Sequence, residues 1–273
     1  MHLALVLCYL TTPQRQKSLC LLFGLVPATL SSAIWTGLGA MRLMMEADKE
    51  TWAIRWPSPA TMKNMAAAVH AREPLLKGVF GFVDGLNLRI YQPADLNEQN
   101  AYYNGWLGDT YCSQVIVFLA NGEIAWVCSN CPGSWHDSKI ARGLYAILAD
   151  PSKTPRSSFI LADTAFPCGK DVSDRVLSRP KDNIANAETN VGKQQLWAAI
   201  TRQRQAAEWG MRALQGAFGR LDLRLTTNKS KRGLLLYVIF RLHNYRTRMV
   251  GLNQIKEVYF PNWNEGANGA LVA

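Results

Sequence analysis

The 273-residue sequence predicts an α/β chain, and three observations carry that expectation. Short β-branched and aromatic runs begin after Gly78, an Asn121-Gly122 pair separates two of them, and apolar residues recur at helical spacing on either side of that region. Hydrophobic residues at 48% against charged residues at 18% exclude disorder and low complexity. A chain of this length buries a core without disulfide staples.

Taken in order, residues 14–23 and 28–45 are predicted helices, joined by a turn through Gly24 with Pro27 near the second N-terminus. The pattern fits a helix-turn-helix-like unit whose second helix enters a DNA groove, and equally a plain helical bundle. The apolar run 3–10 imitates a signal-peptide core but has no Lys or Arg before it and no small-residue cleavage site after it. Residues 18–41 are uncharged and long enough to cross a bilayer, yet Gly24, Pro27, Gly37 and Gly39 punctuate them, so two helices and no membrane span are expected. Residues 46–59 read as a linker and 60–71 as an Ala- and Met-rich helix.

Strands are expected at 79–83, 86–91, 115–120 and 124–128, the last two flanking the Asn121-Gly122 hairpin signal. A helix over 138–148, with Ile140, Leu144 and Ile147 on one stripe, leads to a strand over 158–162 that ends at Asp163. Residues 169–195 are polar and aperiodic, which predicts a long loop. Met211, Leu214, Phe218, Leu221 and Leu225 then mark a helix from about 196 to 223. The apolar run 234–240 is helix or strand, and the Gly-, Asn- and Ala-rich end from 262 is expected to fray. The predicted organisation is a helical segment with its linker over 1–59, a larger domain over 60–252 and a tail over 253–273.

Of the net +10, nine units fall within 200–250, where eleven Lys and Arg face only Glu208 and Asp222. Such a block points to a polyanionic partner. The candidate phosphate contacts are Arg204, Arg212, Arg220, Arg224, Lys229, Lys231 and Arg232. Glu208, four residues from both Arg204 and Arg212, also fits a solvated ion-pair ladder. Six scattered cysteines are too sparse for a secreted disulfide framework, and Cys128-Ser129-Asn130-Cys131 lacks the second Cys or His pair of a zinc site, leaving structural thiols or a redox pair.

Asp84 and Asp163 each end an apolar strand, where a carboxylate is poorly solvated unless something pairs with it. Converging acids of this kind hold hard divalent ions for phosphoryl chemistry; singly, each also suits a cap or a turn. Asp137, just before a predicted helix, is a natural N-cap or a further site acid, and His136 is a general acid or base or a loop partner.

The combination is more specific than its parts. Asp84-Gly85, Tyr102-Tyr103-Asn104-Gly105-Trp106, Gly133-Ser134-Trp135-His136-Asp137-Ser138, Ala162-Asp163-Thr164-Ala165-Phe166-Pro167, Glu208 with Leu214-Gln215-Gly216, and Leu242-His243-Asn244 follow one another in order. Together they resemble the PIF/Harbinger transposases of the DDE superfamily endonucleases, across about 78–248. The resemblance implies an RNase H-like fold, a mixed sheet flanked by helices, with Asp84, Asp163 and Glu208 as the catalytic acids. It further implies that these three and Asp137 hold two Mg²⁺ or Mn²⁺ ions. Leu86 and Phe166 stand where the family usually has Thr and Tyr, and neither change removes a ligand. Aligning instead on Phe218-Gly219 would put Gln215 in the place of the closing Glu. DNA as substrate, a separate Myb-like DNA-binding partner and a nuclear location are the further implications. The rival expectation is a transposase-derived DNA-binding protein without catalysis.

Overall fold

The computed structural model describes residues 2–166, 174–185, 189–251 and 253–260. Its helical start comprises α1 (His2–Thr11), α2 (Gln16–Phe23), α3 (Pro27–Ala47), α4 (Lys49–Trp52) and α5 (Pro59–Arg72). The run 3–10 is therefore a helix of the fold, burying Leu5, Val6, Tyr9 and Leu10. Gly24 ends α2 in the left-handed region at φ 62°, and Pro27 sits in the first turn of α3, as the two-helix reading expects. α1 and α3 approach so closely that a Cβ at Gly37 would lie 2.5 Å from Val6 Cγ2. The expected linker contains α4, whose N-cap Asp48 accepts from the Thr51 amide at 3.1 Å. No single described helix is long and apolar enough to cross a membrane; α2 and α3 together pass that test but meet at 96°.

After β1 (Val79–Arg89) come α6 (Leu96–Tyr102), β2 (Tyr103–Asn104), β3 (Asp109–Leu119) and β4 (Ile124–Pro132). Then follow α7 (Asp137–Ile140), α8 (Arg142–Ala149), β5 (Phe159–Leu161), β6 (Val176–Leu177), α9 (Asp182–Ala185), α10 (Val191–Ala217), a 3₁₀ turn at Gly219–Asp222, α11 (Lys229–Val250) and α12 (Gln254–Tyr259). The sheet runs β4-β3-β1-β5-β6, with β2 also pairing to β3. β1, β3 and β4 are antiparallel neighbours, whereas β5 lies parallel to β1 and β6 parallel to β5. The β3–β4 hairpin turns through Gly122 at φ 84°, where the Asn-Gly signal places it. This mixed sheet with helices on both faces is consistent with an RNase H-like fold.

Strand alternation divides the core into two layers. Ile116 and Phe118 of β3 join Phe82, Leu86 and Leu88 of β1 under α1, α3, α10 and α11, while Val115 and Val117 join Phe80 and Val83 under α5, α7 and α8. Full burial of each such aromatic or aliphatic side chain contributes about 1.5–3 kcal/mol. α12 closes the first layer: Tyr259 stacks on Phe82 with ring centroids 5.3 Å apart, and its hydroxyl donates to Gln203 at 2.6 Å. Residues 253–260, expected in the tail, thus pack into this core; the end beyond them lies outside the described residues.

Several boundaries differ from expectation for identifiable reasons. The helix foreseen over 138–148 breaks at Ala141 into α7 and α8. The long basic helix begins five residues early, at Val191, and stops at Ala217, because Phe218 leaves helical geometry and Gly219 packs against Pro13. The run 234–240 is helical, within α11. The segment 169–195 is not wholly a loop: its described part supplies β6, α9 and the first turn of α10. Pro167 and residues 168–173 and 186–188 lie outside the described residues.

Candidate active site

Asp84 lies within β1, and Asp163 lies just past the end of the neighbouring parallel strand β5, at a matching level by register. β1 pairs with β5 through Phe82↔Leu161, and each aspartate lies two residues further on. Beyond Leu161 the β5 ladder has ended, so the edge of β1 opens where both acids sit. Asp84 Oδ1 accepts from the Gly85 amide at 2.8 Å, and Asp163 Oδ1 closes a short turn by accepting from the Ala165 amide at 2.8 Å. Burial pushes the Asp84 carboxyl up to about 6, the Gly85 amide and the Arg204 guanidinium pull it down, and the Asp163 and Asp137 charges push it further up.

Asp137 is not the cap of its helix. His136 is the N-cap of α7, its Nδ1 accepting from the Ser138 amide at 3.3 Å and pairing with Ser138 Oγ at 2.8 Å. That leaves the Asp137 carboxylate free to lie against β1, where a Cβ on Gly85 would come within 2.4 Å of Oδ2. Gly85 is therefore required by close approach. Burial and the Asp163 charge push the Asp137 carboxyl up, with His136 opposing. Tyr145, which the sequence reading did not single out, belongs to the same neighbourhood. Its buried hydroxyl has no hydrogen-bond partner, and burial followed by the Asp137 charge pushes it up to about 12.

Glu208 stands apart from these acids. It lies on α10 in a loose ion pair with Arg204 at 3.7 Å, with 42% of its side chain exposed. Among the described residues no group of three His, Cys, Asp or Glu is already gathered as a metal cage. Since Arg204 is the α10 side chain whose charge reaches Asp84, the helix rise puts position 208 roughly 6 Å and position 215 roughly 16 Å further along the axis.

Asp84, Asp163 and Asp137 feel one another's charge without being gathered into a cage; all are hard oxygen donors, and the charges opposing them are few. Arg204 counters Asp84 and His136 counters Asp137. Such a set suits a divalent cation of the Mg²⁺ or Mn²⁺ type.

The basic residues do not form one face. Arg232 is 0% exposed: it donates to the Thr226 and Thr227 carbonyls at 2.9 and 3.1 Å, to the Tyr102 hydroxyl at 2.7 Å and to Asn130. Buried in this way it cannot contact DNA, which corrects its inclusion among the phosphate contacts. Arg224 is clamped by two bonds to Asp109, at 3.1 and 2.7 Å, and one to the Ile90 carbonyl at 3.0 Å. Arg220 and Lys231 lie over the rings of Tyr9 and Trp35, Arg204 faces the acids, and Arg212 and Lys229 are exposed.

Other motif residues have structural duties. Asn244 brackets Ile124 with bonds of 2.7 and 2.8 Å, and His243 Nε2 pairs with the Gly122 carbonyl at 3.2 Å, so the His-Asn pair holds α11 to the hairpin. Cys128 and Cys131 are both free, with sulfurs 3.6 Å apart.

Against known proteins, the family model described as DDE superfamily endonuclease matches residues 83–244, a span that includes Asp84, Asp137, Asp163 and Glu208. No curated protein and no solved structure matches.

Proposed function

The chain belongs to the DDE superfamily endonuclease family, and from that premise we propose that it is a metal-dependent DNA endonuclease of the Harbinger transposase type. The observation that carries the reading is the matching level of Asp84, within β1, and Asp163, just past the end of parallel β5, with Asp137 seated on Gly85. Bound there, two Mg²⁺ or Mn²⁺ ions would supply activation of the attacking oxygen and charge neutralisation at the leaving oxygen of an in-line displacement. Asp84 from β1, Asp163 from the turn after β5 and Asp137 from α7 would hold them. Glu208, in its loose ion pair with Arg204, would be the remaining acid available to the ions, and Arg204 would supply positive charge beside Asp84. At neutral pH Asp84 is predominantly ionised, because its carboxyl titrates at about 6. The Harbinger assignment carries with it a separate Myb-like DNA-binding partner and a nuclear location.

One observation favours a second reading, a DNA-binding protein without catalysis: Glu208 is turned to Arg204 and not gathered with the aspartates. Nicking of supercoiled DNA separates the two. The nuclease reading expects Mg²⁺- or Mn²⁺-dependent nicking by the full chain and none by Asp163→Asn; equal silence from both, with DNA binding intact, would leave the second reading.

A further inference from the structure

A groove of about 950 Å³ lies away from the acids, between the α1–α3 unit and the segment from the 3₁₀ turn into α11. Arg15, Lys17, Arg220, Arg224 and Lys231 line it, and no Asp or Glu is among its described lining residues. Arg224 is matched by Asp109. Arg220 and Lys231 are held instead by aromatic faces, Arg220 at 4.6 Å from the Tyr9 ring and Lys231 at 5.2 Å from the Trp35 ring. A ring orients a cation without neutralising it, so these charges are fixed in place and uncompensated. Arg15 and Lys17 are exposed at the start of α2 and face the same space.

From this arrangement we infer that the groove binds the phosphate backbone of DNA as a second contact, separate from the acids. The choice of DNA as the polyanion rests on the nuclease reading. The cations over Tyr9 and Trp35 aim positive charge into the groove, which suits contact to a phosphate backbone. This also recasts the helix-turn-helix-like unit. Over 27–41, α3 has no Lys, Arg, Asn or Gln to read base edges, and it buries Leu30, Ala33, Ile34 and Leu38. The unit serves as a wall of the groove through Ser31 and Trp35. β1 carries Asp84 and leads to Tyr91 at the groove, seven residues and roughly 23 Å of extended chain further on.

Binding of a labelled 20-base-pair duplex to the full chain in EDTA tests this without metal or catalysis. Lys17→Ala with Lys231→Ala, both exposed positions, is expected to weaken binding about tenfold or more and to lower the slope of log K against log salt by about 2. Lys17→Arg with Lys231→Arg should restore both. The same charge change at exposed Lys49 and Lys63, outside the groove, should stay within about twofold. Equal losses from the groove and control pairs would overturn the inference. So would a groove-pair loss seen only on anionic phospholipid vesicles and not on DNA. Nicking assayed separately in Mg²⁺ keeps the two readings apart: if Asp163→Asn nicks like wild type, the nuclease reading fails while the groove result stands.

Discussion

Arg232 and Asp84 are two charges withdrawn from water in the same domain, and the protein treats them oppositely. Arg232 spends its donors on two carbonyls, an amide oxygen and a hydroxyl, and rests over the Tyr102 ring at 4.7 Å. Asp84 receives one backbone amide and is crowded by two more carboxylates. A charge whose partners are supplied from within the fold is a structural joint. One left short of counter-charge, beside others of its own sign, is where a cation belongs.

The largest effect expected from this contrast is on stability. Arg232→Ala would orphan two carbonyls, Asn130 and the Tyr102 hydroxyl, at a cost of about 3–5 kcal/mol in chemical denaturation. A stable Arg232→Ala protein that had lost only DNA affinity would break the comparison. Asp84→Asn should do the reverse, stabilising the metal-free protein by up to about 3 kcal/mol at pH 7.5, because a folded-state carboxyl raised to about 6 opposes folding once it must ionise.

The pH dependence sharpens the same point. As pH falls from about 6 towards 4, Asp84 takes up its proton in the folded state first, which favours folding. Buried His243, pushed down to about 4 by burial, is protonated first in the unfolded chain, which disfavours folding by up to about 3 kcal/mol between pH 6.5 and 4. The two arms nearly cancel in wild type. Acid unfolding of Asp84→Asn should therefore be the steeper, and His243→Gln should remove that added slope. Smaller still, Gly85→Ala should displace Asp137 and weaken Mn²⁺ binding by about tenfold, read by titration.

The contrast also explains what was legible in the sequence. Asp84 and Asp163 stood out as acids after apolar runs, a local pattern, yet Asp84 does not end its strand, since β1 continues through it to Arg89, and Asp163 lies two residues past β5; the Asn121-Gly122 turn is equally local. Arg232 was not legible: within Lys229-Ser230-Lys231-Arg232 it looks like its solvated neighbours, and only the seating of α11 against Tyr102 and Asn130 buries it. The Asp137 role depended on His136 taking the cap, a choice between adjacent residues that composition does not decide. Tyr145 and Gly85 came to lie beside Asp137 only through the packing of α7 and α8 on β1. α1 was masked by its resemblance to a leader, because an amphipathic face cannot be assigned before its partner, α3, is in place.

Thermal unfolding of the full chain with and without saturating Mn²⁺, beside Asp163→Asn, tests the central claim most directly. At 100 times the dissociation constant a single bound ion stabilises by about 2.7 kcal/mol. The account predicts a raised midpoint in wild type and none in Asp163→Asn. An equal rise in both proteins, or no rise in wild type, would contradict it.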